Sequence, residues 1–266
     1  MVKRKYIAPN AITTANMFFG YLSITSSIKQ DFIQAIWFII FAMICDTLDG
    51  KTARKLDAFS EFGKEFDSFC DAISFGLAPG ILVYSILMKN TAVNSFIIPV
   101  SFIYALCGVM RLVKFNIITV ASSEKDDFSG MPIPNAAAMV CSYYLLTDTA
   151  LFNYLKDTYS IDLFSIDLFM AITVIAAILM VSTIKFKTPD RAFSFIPKKM
   201  ALPLIGIVIV TLKYSLFILS FLYVIINLIG FLKKVFDGSN DDNDKELVDV
   251  IEEIEEIEIE EKKKED

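Results

Sequence analysis

Asp46-Thr47-Leu48-Asp49-Gly50-Lys51-Thr52-Ala53-Arg54, then eight residues, then Gly63, Asp67 and Asp71: this stretch decides how the chain is read. Its pattern is D-x2-D-G-x2-A-R-x8-G-x3-D-x3-D, set in a sequence of otherwise long apolar runs. Acidic side chains at the edge of a bilayer are costly, so by default they mark a functional site. Residues three and four apart share one face of a helix. Asp46, Asp49, Gly50 and Ala53 are therefore expected on one side of a helix leaving the bilayer. Gly63, Asp67 and Asp71 are expected on one side of the next. The small residues Gly50, Ala53 and Gly63 would let those two faces approach. Four converging carboxylates repel one another, and hard divalent cations remove the conflict. Oxygen-only ligation without histidine favours magnesium or manganese, with calcium also compatible. Two ions bridged by shared carboxylates suit phosphoryl chemistry, and Arg54 beside them suits a pyrophosphate oxygen.

Working outward, the rest of the chain reads as membrane. Of its 266 residues 55% are hydrophobic and none is histidine, and mean hydropathy is +0.55. Uncharged runs recur at 6–28, 32–45, 72–88, 90–110, 128–147, 168–184, 200–212 and 214–232. A span needs roughly 20 apolar residues. The expected fold is therefore an all-α, polytopic membrane bundle of about eight transmembrane helices. The run at 32–45 continues into the aspartate motif. The run at 200–212 carries Pro203 and Gly206 and is expected to be tilted, broken or shallow. Residues 3–9 are basic and aromatic, suited to the interface, and Asn10 is placed to cap the first helix. That helix is long enough to stay in the membrane, and no signal-peptide cleavage pattern follows it.

The overall charge of −6 conceals two unlike parts. From Asp237 onward there are 15 acidic and 4 basic residues, against 16 acidic and 21 basic in residues 1–236. The membrane body is thus basic, as suits anionic lipids, and no nucleic-acid partner is expected. Residues 1–236 read as a membrane-embedded domain. Residues 237–266 read as an acidic cytoplasmic tail, with Leu247, Val250 or Ile251, Ile254 and Ile257 at helical spacing among glutamates. That spacing allows a short amphipathic or coiled-coil helix, but a solvated acidic tail without chemistry is the preferred reading. Seventeen lysines and arginines cluster with the termini and alternate loops, whereas the opposite loops hold Lys29, Lys89, Lys156 and Lys213. This bias puts both termini and the aspartate motif on the cytoplasmic side. Cys45, Cys70, Cys107 and Cys141 lie in or beside apolar runs without a C-x-x-C pair, and read as small buried hydrophobes.

The pattern from Asp46 to Asp71 resembles, at every position, the signature of the CDP-alcohol phosphatidyltransferases. Further segments resemble the membrane-integral phosphatidylserine synthases within that family. They are Ile7-Ala8-Pro9-Asn10-Ala11-Ile12-Thr13, Met110-Arg111-Leu112-Val113-Lys114-Phe115-Asn116, Gly130-Met131-Pro132-Ile133-Pro134-Asn135-Ala136-Ala137-Ala138 and Met180-Val181-Ser182-Thr183-Ile184-Lys185-Phe186. Lys114 replaces an arginine of that pattern and Asn135 is a second departure. The resemblance covers most of residues 7–187.

The resemblance implies transfer of a phosphatidyl group from CDP-diacylglycerol, or an archaetidyl group from CDP-archaeol, to L-serine with release of CMP. It implies that Asp46, Asp49, Asp67 and Asp71 share two metal ions, with Asp71 as general base for the serine hydroxyl. Asp49, Gly50, Ala53, Arg54 and Gly63 would receive the CDP-lipid. Arg111, Lys114 and Asn116 are candidates for holding the acceptor carboxylate or a lipid phosphate, although positive-inside anchoring alone accounts for the two cations. Pro132 and Pro134 suit either the acceptor pocket or ordinary helix initiation. Lipid chains would enter laterally between helices, and a homodimer in the cell membrane is expected. The same chemistry with inositol phosphate or glycerol phosphate as acceptor is the nearest alternative. A divalent-cation transporter would need ionisable groups deep in several helices, whereas these cluster at one face. A purely structural or partner-binding role has only the acidic tail to support it.

Overall fold

In a computed structural model of the chain, residues 4–90, 95–121, 128–159, 164–186 and 211–236 are described. A 3-10 turn at Arg4–Tyr6 leads into α1 (Ile7–Ile28), followed by α2 (Phe32–Lys55) and α3 (Glu61–Asp71). A π-helical turn at Ala72–Leu77 joins α3 to α4 (Ala78–Asn90), making one continuous rod. Then come α5 (Ile97–Ala121), α6 (Ile133–Leu145), α7 (Ala150–Tyr159), α8 (Ile166–Val181) and α9 (Leu212–Phe236).

The all-α membrane bundle is borne out. Four described helices are long and apolar enough to cross a bilayer: α2, the α3–α4 rod, α5 and α9. Large apolar side chains such as Phe41, Phe102, Leu106, Ile178 and Ile225 face outward, as lipid contact allows and water would penalise. The expected eight spans are met unevenly. At 22 residues α1 is long enough to span but is not among those four helices, because one face carries Thr13, Asn16, Gly20, Ser23 and Ser27, all buried. The run at 128–147 yields only the 13-residue α6, because an extended segment precedes it. The run at 200–212 lies almost wholly outside the described residues, as does the tail from Asp237.

Two further departures are local. Phe128–Ser129 pairs antiparallel with Lys185–Phe186, a two-residue ladder that uncharged runs do not announce. It ties the segment before α6 to the end of α8, helped by Gly130 N–H donating to Ile184 and Met131 N–H donating to Leu179, each at 2.9 Å. Asn10 is not the cap of α1; the helix starts three residues earlier, so Asn10 falls in its first turn. Pro132 occupies the cap position of α6, with Pro134 at its second residue, which is the helix-initiation reading of these prolines.

The core gathers on α6. Ala136, Ala137, Val140 and Cys141 are fully buried, with Ile36 and Ile39 of α2, Leu82 and Ile86 of α4 and Phe169 of α8 in the same cluster. All four cysteines are free, two of them buried. The chain's alternating passage brings the starts of α1, α3 and α6 and the ends of α2, α5 and α8 to one end of the bundle. Polar contacts mark both ends. Lys5 Nζ donates to the Asp57 carbonyl at the first end. At the other, Lys213 pairs with Asp148 and Lys89 lies over the Phe32 ring.

Candidate active site

The acidic end of the bundle is assembled by α1. This helix packs along α2 more extensively than any other described pair, and also contacts α3 and the π-turn, whereas α2 and α3 scarcely meet. The expectation that Gly50, Ala53 and Gly63 let the two acidic helices pack together is therefore corrected. A Cβ placed on Gly50 would meet nothing within 4 Å. Gly63 instead faces α1, with the Asn10 side chain 3.6 Å from where its Cβ would lie. Local signals fix α3 itself: Ser60 caps it by accepting the Gly63 N–H at 3.0 Å. Arg54 and Lys55 fill the last turn of α2, where cations suit the negative end of the helix dipole.

One carboxylate oxygen each from Asp46, Asp49 and Asp67 lies within 4.8 Å of the other two. Two oxygens on opposite sides of one hard cation stand roughly 4 to 5 Å apart. Asp49 Oδ2 and Asp67 Oδ1 are buried and lack a hydrogen-bond partner. Buried acceptors without donors are rare in folded proteins, because the lost hydration goes uncompensated. Two orphaned oxygens inside a three-carboxylate cluster therefore fit divalent cations, which would supply the missing positive partners.

The fourth aspartate is placed differently. Asp71 is buried and within electrostatic range of Asp46, Asp49 and Asp67, but it lies outside the group of three. Its Oδ1 accepts from Asn16 Nδ2 at 2.9 Å. Thr13, one turn earlier on α1, is buried and faces Asp49. Spacing within the acidic motif pointed to neither residue. A signal did exist: Thr13, Asn16, Gly20, Ser23 and Ser27 recur every three or four residues along an otherwise apolar helix.

The remaining predicted residues divide. Arg54 is exposed, and its Nε donates to Gly50 O at 3.1 Å within its own helix. Arg111 is buried in the second half of α5, its guanidinium 5.1 Å from the Phe115 ring centroid and within electrostatic range of Asp71 and Asp46. Lys114 is half-buried one turn on. Asn116 donates to Ser68 Oγ at 3.0 Å, which ties α5 to α3 beside the acidic group. Among the acceptor-site candidates, Arg111 thus lies within charge range of Asp71 and Asp46.

With this geometry in place, comparison with known proteins is decisive for the family. The profile of the CDP-alcohol phosphatidyltransferases matches residues 6–184, from the start of α1 to the end of α8. The chain belongs to the CDP-alcohol phosphatidyltransferase family. It is a membrane-embedded transferase of phospholipid biosynthesis. Family members depend on divalent metal ions, in keeping with the carboxylate cluster. The chain is similar to the CDP-diacylglycerol–serine O-phosphatidyltransferase of Helicobacter pylori, 33% identical over 181 residues covering 68% of this chain and 72% of the relative. It is 34% identical to the archaetidylserine synthase of Methanothermobacter thermautotrophicus over 184 residues, 68% of this chain and 70% of that one. A Methanocaldococcus jannaschii protein named CDP-diacylglycerol–serine O-phosphatidyltransferase is 30% identical over 224 residues, 84% of this chain and 96% of its own. The matched family region holds every predicted site residue and ends before α9.

Proposed function

We propose that this phosphatidyltransferase moves the phosphatidyl or archaetidyl group of a CDP-linked lipid onto the hydroxyl of L-serine, releasing CMP. The observation that carries the reading is the group of three carboxylates within 4.8 Å, set at one end of a membrane bundle whose named relatives use serine. Asp46, Asp49 and Asp67, with Asp71 adjoining, would hold two magnesium or manganese ions. Bound there, such ions polarise the phosphate and offset charge developing on it.

The chain's own residues do the rest. Asp71 takes the proton from the serine hydroxyl as its oxygen bonds to the lipid-side phosphorus, and the bond from that phosphorus to the CMP oxygen breaks. The open space beside Gly50 gives the nucleotide room to lie against the end of α2. Arg54 there suits the pyrophosphate, and Ala53 and Gly63 limit bulk around it. Arg111 supplies buried positive charge for the acceptor carboxylate, with Lys114 and Asn116 beside it.

The reading extends to placement. Residues 1–236 form the membrane-embedded catalytic domain in the cell membrane, and residues 237–266 an acidic tail without chemistry. The site opens to the cytoplasm, where CDP-lipid and serine meet at the inner leaflet. A homodimer is included because the resemblance implies it. The deciding experiment is an acceptor panel with purified protein, CDP-diacylglycerol or CDP-archaeol, and magnesium or manganese. Serine-dependent CMP release is expected; CMP release with inositol phosphate or glycerol phosphate and none with serine would overturn the assignment.

A further inference from the structure

Asn16 sits fully buried in the middle of α1, an apolar setting in which an amide is expensive unless paired. Its Nδ2 donates to Asp71 Oδ1 at 2.9 Å. With Asp71 ionised, as a base must be, this orientation sets an amide donor rather than an oxygen against the carboxylate. The backbone carbonyl of Asn16 in turn accepts from Ser74 Oγ at 3.0 Å, and Ser74 is also fully buried. Asp71 closes α3, and the π-helical turn that carries Ser74 starts at the next residue. π-Turns inside α-helices recur at functional sites. Here the turn and the helix end are clamped to one residue of α1 by two hydrogen bonds, one to each.

We propose that Asn16, anchored by Ser74, is a positioning residue that fixes the Asp71 carboxylate for proton abstraction from the acceptor. One carboxylate oxygen is engaged by the amide, which sets the side-chain rotamer and leaves the second oxygen for the hydroxyl. The network thus reaches Asp71 from α1, while Asp46, Asp49 and Asp67 form the close carboxylate group beside it. This inference rests on the proposed role of Asp71 and adds what aims it.

The test compares wild type, Asn16→Ala and Ser74→Ala as purified full-length protein, measuring kcat, KM for CDP-lipid and affinity for Mn2+. Misplacing a reacting group by about 1 Å can cost roughly 100-fold. Asn16→Ala is expected to lower kcat by about that factor while KM for CDP-lipid and Mn2+ affinity stay within about threefold. Ser74→Ala, which removes the anchor only, is expected to lower kcat by roughly tenfold with the same split. A folded Asn16→Ala protein with kcat within threefold of wild type overturns the proposal, as does a parallel loss of Mn2+ affinity. If Asn16→Ala fails to fold, unchanged kcat in Ser74→Ala overturns it instead. Wild type that releases CMP with another acceptor but not serine sinks the serine assignment alone, and the variants are then scored with that acceptor.

Discussion

Gly20 of α1 lies directly against Ser74 of the π-turn: a Cβ on Gly20 would sit 2.8 Å from the Ser74 Cα. Real Cβ atoms do not approach backbone so closely, so the two segments touch only because Gly20 has no side chain. Gly20→Ala must push α1 from the π-turn, one helical turn beyond Asn16. Overpacking of this kind costs about 1–3 kcal/mol. The expected outcome is a lower melting temperature in detergent together with a fall in CMP release, read by a thermal-shift assay and a turnover assay on the same preparation.

Gly50 makes the opposite case. Nothing stands within 4 Å of a Cβ there, and replacing a helical glycine by alanine adds about 0.5–1 kcal/mol of helix stability. Gly50→Ala should therefore leave melting unchanged or slightly raised. If the nucleotide lies in the open space beside the helix, KM for CDP-lipid rises by roughly tenfold, about 1.4 kcal/mol. Melting curves and a CDP-lipid titration separate the two effects, and a drop in both stability and affinity would show that Gly50 is a packing residue after all.

These two glycines show what spacing can and cannot reveal. Helical periodicity alone put Asp46 and Asp49 on one face and Asp67 on another, since each set is local to its helix. The same logic marked Gly50 and Gly63 as small, left their roles undivided and did not single out Gly20, because what a glycine faces depends on which third helix intervenes. That helix is α1. Asn16 reaches Asp71 across 55 residues of sequence, and no window along the chain contains both. The bundle was legible from uncharged runs, and the polar stripe of α1 lowers the mean hydropathy of that helix while lying buried inside the protein. The Phe128–Ser129 pairing with Lys185–Phe186 left no periodic trace, two residues being too few.

Tyr104 supports the π-turn from the opposite side. Its hydroxyl, fully buried on α5, donates to the Phe75 carbonyl at 3.2 Å. Tyr104→Phe keeps the ring's volume and strips the donor, leaving a buried carbonyl unpaired at a cost of about 1–3 kcal/mol. Reduced thermal stability with CDP-lipid affinity preserved is the expected result. A variant that melts with wild type would mean that the Phe75 carbonyl finds another donor.

The three-carboxylate group carries the most demanding prediction. Chelation with EDTA should abolish CMP release, and adding back magnesium or manganese should restore it. Asp49→Asn and Asp67→Asn each retain the side chain's shape and remove its charge. Both native residues carry a buried oxygen with no hydrogen-bond partner, so neutralising either relieves repulsion while weakening cation binding. The two consequences have opposite signs: the metal-free protein should melt at the same or a higher temperature than wild type, whereas activity falls by roughly 100-fold or more, since a catalytic cation contributes several kcal/mol. Mn2+ binding followed by electron paramagnetic resonance reads the loss of affinity directly. Undiminished Mn2+ affinity in both variants would remove the cation from this cluster, and with it the reason for the orphaned oxygens.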